Sequence, residues 1–390
     1  MKVPFSYLTL EAQARKLLID DIFAEMRQVV EKGDFTLGEQ VAEVEETFAK
    51  VVGGQYAVAV RSGTDALYLT LWALGVGPGD IVAMPANTHY ATAGAVCQIG
   101  ARPAFSDVSD DPEDMFLLPS EGKTRPRFPL SEKVKAVIPV CWGGDVPGYP
   151  MHRIPLVRTQ DADQKTPAIY ATPFVILDAA QAVGATYKGI PLGSMGTAAC
   201  FSFHPLKNIH AWGDAGMVTT TSLPLAARIR ALRNHGLLDR DNCLEPGMNG
   251  RMETMQAVVI KHFMKVLPEV LEKRRKLARL YDEGLATIKG VRVPARSQLV
   301  GHTYHLFQIQ AERRDALQTF LRQHEVETKV HYPKPLYLQP AFRQFGEMGG
   351  CPVTEMQSRY ILSLPCHEYM DMPEVEFVVG RVREFYQRNG

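Results

Sequence analysis

"ACFSFHPLKNIHAWGDAGMVTTT", residues Ala199 to Thr221, places one lysine between two β-rich runs. The first run, Ala199–Phe203, leads through Pro205 to Lys207; Trp212 and the glycines around Asp214 lead into the second, Met217–Thr221. Lysines ordinarily end on solvated helix faces, whereas this one follows an apolar strand. Toward the N-terminus the same kind of run recurs at "FVILD" (Phe174–Asp178), "VKAVIPV" (Val134–Val140), "PAFSDV" (Pro103–Val108), "IVAM" (Ile81–Met84) and "YAVAV" (Tyr56–Val60). Helical stretches such as Asp65–Leu74 and Ala91–Ile99 separate several of them. Strands alternating with helices predict an α/β fold with a mostly parallel, seven-stranded, doubly wound sheet sandwiched by helices. Ligands of such sheets sit beyond the carboxyl ends of the strands. The chemistry is therefore expected in the loops that follow these runs.

The rest of the chain is organised around that sheet. Leu10–Lys32 reads as one helix closed by Gly33, and Glu39–Val52 as another ended by Gly53. From Met252 a long helical stretch leads out of the sheet, and Pro268 is expected to kink or split it. A strand-like Thr303–Gln310, a helix over Arg313–His324, a strand ending at His331–Tyr332 and a helix near Pro373–Gln387 follow. These boundaries predict a large domain over residues 1–251 and a smaller α/β domain over 252–390. Pro147–Pro173, rich in proline and polar residues, reads as an irregular surface segment. Glu272–Lys276, "EKRRK", reads as a solvated helix face, and Trp72 and Trp212 as packing residues.

Composition excludes several classes. Lys+Arg and Asp+Glu both total 43 in 390 residues, so no basic surplus calls for nucleic acid. No apolar run is long enough to span a bilayer, and the first residues turn polar too early for a signal-peptide core. Six scattered cysteines without a CxxC pair predict neither a disulfide frame nor a metal site, and point to reduced thiols in a cytoplasm.

Four stations carry candidate chemistry. Ser62-Gly63-Thr64 follows a strand and opens a helix, where free N–H groups and the dipole suit a phosphate; a simple cap by Ser62 or Thr64 is the plainer alternative. His89 lies just past another strand, placed to stack on a flat ring or to be merely solvated. Asp178 ends an apolar strand, where a carboxylate needs a cation or good donors, though it equally suits an N-cap; Gln181 lies one turn on. Ser202 and Lys207 follow the next strand. A lysine partly stripped of water there loses basicity and becomes nucleophilic toward carbonyls. A phosphate-bearing aldehyde cofactor with a pyridine nitrogen would use every station, with a Schiff base at Lys207 and Asp178 at the ring nitrogen.

These segments resemble the DegT/StrS family of pyridoxal-phosphate (PLP) sugar aminotransferases, which have the fold-type-I architecture. The likeness rests on "SGTDAL", "PANTHYAT", "DAAQAVGA", "FSFHPLKNIHAWGDAGM", "LRNHG", "GMNGRMETMQAV" and "VHYPKPLYLQPAF", and spans nearly the whole chain. It implies Lys207 and Asp178 as catalytic residues, and Gly63, Thr64, His89, Gln181, Ser202 and Asn249 as further cofactor contacts. Asn249 would reach the phosphate of a neighbouring subunit, implying a homodimer with shared sites. The implied reaction moves an amino group from glutamate or glutamine to a keto-sugar, with PLP cycling through pyridoxamine phosphate (PMP). His331 and Tyr332 are candidates for the substrate mouth. Cys141-Trp142 stands where the family commonly has histidine, and Tyr337 likewise. A sugar dehydratase of the same fold would lack the lysine, typically carrying histidine in its place. A non-catalytic PLP-binding regulator is the reading from outside the enzymes.

Overall fold

The computed structural model describes residues 1–109, 134–147, 173–345 and 350–388. The irregular segment expected at Pro147–Pro173 falls almost wholly outside them. Chain order begins with α1 (Leu8–Ala14), α2 (Lys16–Lys32) and α3 (Glu39–Val52). The expected Leu10–Lys32 helix is thus interrupted at Arg15, whose backbone (φ −120°, ψ 35°) leaves the helical region. Its guanidinium turns to the Tyr369 hydroxyl and Glu269 instead. α2 and α3 stop at Gly33 and Gly53, both left-handed.

Next come β1 (Tyr56–Val60), α4 (Gly63–Ala73), β2 (Ile81–Pro85), α5 (Tyr90–Gln98), β3 (Arg102–Ser106), β4 (Val134–Val137), β5 (Phe174–Asp178), β6 (Ala198–Ser202) and β7 (Gly216–Thr220). They form one seven-stranded sheet in the order β1-β7-β6-β5-β4-β2-β3. Only β7 runs antiparallel to its neighbours. The reason is local: the stretch between β6 and β7 contains no helix, and a parallel return needs a long crossover.

Successive residues of a strand point to opposite faces, and the core divides accordingly. Ala57, Ala59, Val175, Leu177 and Phe201 pack with Val44 and Phe48 of α3 on one face. Val58, Val60, Ile176 and Cys200 pack with Leu67 and Leu71 of α4 and Ala95 of α5 on the other. Strands buried on both faces explain why nearly every residue in these runs is apolar.

α6 (Leu223–Leu232) closes the second face, and α7 (Thr254–Leu285) runs 32 residues without a break at Pro268. The missing N–H costs one intrahelical bond, but Phe263, Leu267, Val270 and Leu271 remain buried on the same side and hold the helix together. A second, antiparallel sheet follows, β8 (Val291–Arg292), β9 (Phe307–Ala311) and β10 (Ile361–Leu364), order β8-β9-β10. α8 (Arg314–Gln323), α9 (Pro352–Tyr360) and α10 (Met372–Arg388) complete the chain, and Leu317, Val378, Phe307 and Leu364 share a core with Val3. The strand expected over "VETKVHYP" is reduced to two isolated bridges, Val326 to Val3 and Lys329 to Ser363.

The expected solvated face at Glu272–Lys276 is interrupted by Arg274, 1% exposed. Its guanidinium pairs with Glu368 and donates to the carbonyls of Tyr304 and Cys366. Asp107, just beyond β3, accepts from the N–H groups of Val353 and Thr354 and so caps α9 from across the chain. All six cysteines are unpaired. Among the described residues no helix is long and apolar enough to cross a membrane.

Candidate active site

β1, β2, β4, β5 and β6 end on the same sheet edge, and a cavity of about 310 Å³ opens there. Gly63, Thr64, His89, Asp178, Gln181, Ser202, Lys207 and Tyr332 all line it. Each sits where a strand gives way to a turn, so strand register sets its height and the following turn sets its aim.

Lys207 is half-buried, its nitrogen open to the cavity but walled by protein. Loss of hydration lowers its ammonium from 10.5 to about 8, against a weaker opposing pull from the Asp178 charge. Among the described residues the amine donates no hydrogen bond to the protein.

Asp178 is buried at the end of β5, and its backbone is locked by the Pro139 carbonyl and the Cys141 N–H. Thr92 Oγ1 donates to Oδ2 at 2.8 Å and the Ala180 N–H to Oδ1 at 3.2 Å. The turn after β5 is not helical, so Asp178 caps no helix. Gln181 Oε1 accepts from the Gly143 N–H at 2.7 Å, which ties it to the loop after β4.

Ser62 caps α4 by accepting from the Asp65 N–H at 3.0 Å, in line with the plainer alternative. That leaves the N–H groups of Gly63 and Thr64, which helix geometry gives no intrahelical acceptor, at the cavity. Gly63 lies against Ser202: a Cβ at residue 63 would stand 2.7 Å from the serine Cβ. A phosphate fits this cradle of N–H groups and a hydroxyl at a helix N-terminus.

His89 is the N-cap of α5, its Nδ1 accepting from the Ala91 N–H at 3.2 Å. Burial, then the nearby Lys207 charge, lowers its imidazole, which favours the neutral ring with the proton on Nε2. Its centroid lies 6.0 Å from that of Tyr332, and Trp142 meets Tyr332 edge-on at 5.4 Å. These rings make an aromatic wall. His331 does not line the cavity; its Nδ1 lies 2.8 Å from Ser363 Oγ, and burial with the Lys207 charge pushes its imidazole down to about 4. Asn249 is exposed and away from the cavity of its own chain, in a bridge with Asn234.

Thr92, Thr88, Trp142, His204 and Asp214 also line the cavity, beyond the site residues expected from the sequence. Thr92 carries a readable signal, a hydroxyl in the first turn of the helix that follows His89. His204 and Asp214 flank Lys207 in the loop itself.

A lysine of weakened basicity, a buried carboxylate and a phosphate cradle on one sheet edge define a PLP enzyme of the fold-type-I class. The chain belongs to the DegT/DnrJ/EryC1/StrS aminotransferase family, whose model matches residues 17–383. It is 35% identical to a pleiotropic regulatory protein of Geobacillus stearothermophilus, over 99% of both chains. It is 34% identical to the dTDP-3-amino-3,4,6-trideoxy-alpha-D-glucose transaminase of Streptomyces venezuelae, over 99% of this chain and 97% of the relative. Among solved structures it resembles ntda of Bacillus subtilis with bound cofactor PMP, with TM-score 0.84, 27% identity, and 98% and 85% of the two chains covered. The protein is an aminotransferase, and its cofactor is PLP, cycling with PMP.

Proposed function

We propose that this enzyme moves an amino group from glutamate or glutamine to a nucleotide-linked or phosphorylated keto-sugar in amino-sugar biosynthesis. One juxtaposition carries the reading: the Lys207 amine and the buried Asp178 carboxylate share a cavity with the first turn of α4. The named activity of the Streptomyces relative supports the sugar acceptor.

PLP, when bound, supplies the electron sink that makes the donor's Cα proton removable. The remaining work falls to this chain. Gly63 and Thr64 through their N–H groups, and Ser202 through its hydroxyl, would hold the phosphate. Asp178, oriented by Thr92, would hold the pyridine nitrogen protonated, and His89 and Gln181 would supply further cofactor contacts from the same cavity. Lys207 Nζ would bond the cofactor's aldehyde carbon at rest and, once released as a free amine, would accept the proton of the donor's Cα at Nζ. At about pH 7.5 an ordinary lysine is neutral in about one molecule in a thousand, whereas at about 8 roughly a quarter is neutral and able to accept it. Tyr332 at the aromatic wall and His331 behind it border the way in for the acceptor.

The functional unit is a homodimer in a cytoplasm, with Asn249 completing the phosphate site of the second copy. The division at residue 251 is taken as the domain boundary, with Val3 reaching into the smaller core and the first half of α7 packing on the larger. The name of the Geobacillus relative favours a second reading, a cofactor-binding regulator without turnover.

Borohydride reduction of the loaded protein, followed by peptide mass mapping, should place the pyridoxyl mass on Lys207. On a separate, unreduced sample of the loaded protein, adding glutamate should bleach the visible band of the lysine-bound cofactor, and a keto-sugar from a panel should restore it. An unchanged band would favour the regulator, and normal turnover by Lys207→Ala would end the proposal.

A further inference from the structure

Three stretches far apart in sequence meet behind Lys207, and none of their joining side chains lines the cavity. The Tyr7 hydroxyl donates to the Lys207 carbonyl at 3.0 Å, and His210 Nδ1 lies 3.3 Å from the same oxygen. His210 Nε2 lies 3.0 Å from Glu11 Oε1. The Tyr369 hydroxyl donates to Glu11 Oε2 at 3.0 Å and accepts from Arg15 Nε at 2.9 Å. Glu11 and His210 are 4% and 2% exposed, so little of either side chain meets water.

Donor accounting places the protons. A carbonyl only accepts, and so does a carboxylate, so both ring nitrogens of His210 face acceptors. A neutral imidazole has one N–H and leaves one contact without a proton; an imidazolium satisfies both. Tyr369 already donates to Glu11 Oε2, so the other carboxylate oxygen faces the ring nitrogen as an acceptor. Other groups face the pair from every side. His204 in the loop opposes a positive charge on His210. Phe263 of α7 covers the ring with centroids 4.3 Å apart. Arg274 lies 5.5 Å over the Tyr7 ring with Glu368 beside it.

We propose that Glu11 keeps His210 as an imidazolium, and that this ion pair with Tyr7 positions Lys207 by gripping its carbonyl oxygen. The role rests on the reading of Lys207 as the residue that holds the cofactor. The Lys207 N–H is already tied to the His204 carbonyl at 2.8 Å. With the carbonyl fixed as well, the backbone on both sides stays put while the side chain swings between cofactor and proton. Such fixing keeps Nζ near its reacting position and removes an orientational cost at each turnover. Burial above all, and then Glu368, pushes the Tyr7 phenol well above its ordinary range, so it remains a donor.

The charge state is tested on the full chain by side-chain nitrogen NMR at about pH 7.5. His210, assigned with His210→Gln, should show protons on both ring nitrogens, and in Glu11→Gln on only one. A single ring proton in the wild type would overturn the ion pair. In the loaded enzyme, Tyr7→Phe and Glu11→Gln should each lower kcat roughly tenfold, equivalent to about 1.4 kcal/mol, with KM for the donor within about twofold. His210→Gln, which keeps one donor for the carbonyl, should retain more activity than His210→Leu. Wild-type kcat in Tyr7→Phe, which loses one oxygen and keeps the ring packing, would sink the positioning role even if Glu11→Gln misfolds. Borohydride trapping is read separately: if it misses Lys207 in the wild type, the cofactor reading and the positioning role fall, while the NMR result stands.

Discussion

Gly63→Ala tests the phosphate cradle most directly. The added Cβ would meet Ser202 at 2.7 Å from its Cβ, 3.2 Å from its Oγ and 3.3 Å from its Cα. The first distance is most of an ångström inside ordinary carbon contact of about 3.5–4.0 Å. Neither side has room to retreat, because Ser202 belongs to an interior strand. Gly216 opposite it already lies so close to the Ser62 carbonyl that a Cβ there would come within 2.3 Å. Overpacking of this kind costs about 1–3 kcal/mol. Alanine's helix preference returns at most about 1 kcal/mol, and less at a first helical position. The net expected loss is about 1 kcal/mol of stability, read by urea unfolding of the cofactor-free protein. PLP affinity should suffer more, since displacing one charge-assisted donor of the cradle costs about 1.5–3 kcal/mol, or roughly 10- to 100-fold in Kd. Titration of PLP against the protein, followed by tryptophan fluorescence, measures that directly. Adding Ser202→Gly should recover stability by removing the obstructing atom, yet leave PLP binding weak because the hydroxyl is gone. Wild-type PLP affinity in the single variant, beside a measurable loss of stability, would refute the cradle.

Two further perturbations address the cavity floor. Lys207 has its folded pKa depressed below its unfolded value, so the unfolded chain binds more protons between about 8 and 10.5 and its burial penalty applies in full below that window. Lys207→Met should therefore stabilise the cofactor-free protein by about 2–3 kcal/mol at pH 7, with the gain shrinking as pH rises through the window; equal stability gains at pH 7 and 10.5 would contradict it. Thr92→Val removes the 2.8 Å bond to Asp178 with little change of shape. It should cost about 1.5–3 kcal/mol of stability and weaken PLP binding, by denaturation and by titration, and a neutral result in both would show that Asp178 needs no such support.

Strand positions are legible because period and composition agree: buried on both faces, "FVILD" and "YAVAV" can hardly be anything else. The residues after them are legible as a site because an α/β sheet gathers its strand ends on one edge, so the order of the runs alone puts Asp178, Ser202 and Lys207 together. What escapes depends on partners distant in sequence. Arg274 reads as a solvated charge until Glu368 and the carbonyls beside it come into view. Pro268 reads as a break, since local rules do not see the buried side that carries α7 past it. The interruption at Arg15 likewise follows from Tyr369 and Glu269. Trp142 is visible as a departure, but its place in the aromatic wall needs Tyr332, on a segment whose expected strand is reduced to two isolated bridges.

The clasp between Glu11 and Tyr369 joins residues 358 positions apart. During synthesis on the ribosome the sheet can assemble as its strands emerge, but the support behind the loop bearing the reactive amine lacks its Tyr369 end until residue 369 has cleared the exit. A nascent chain stalled or truncated before that point would keep a nearly finished sheet and the Tyr7 and His210 contacts but lack the donor that anchors Glu11, so the brace behind the lysine is completed only by the last residues to be made.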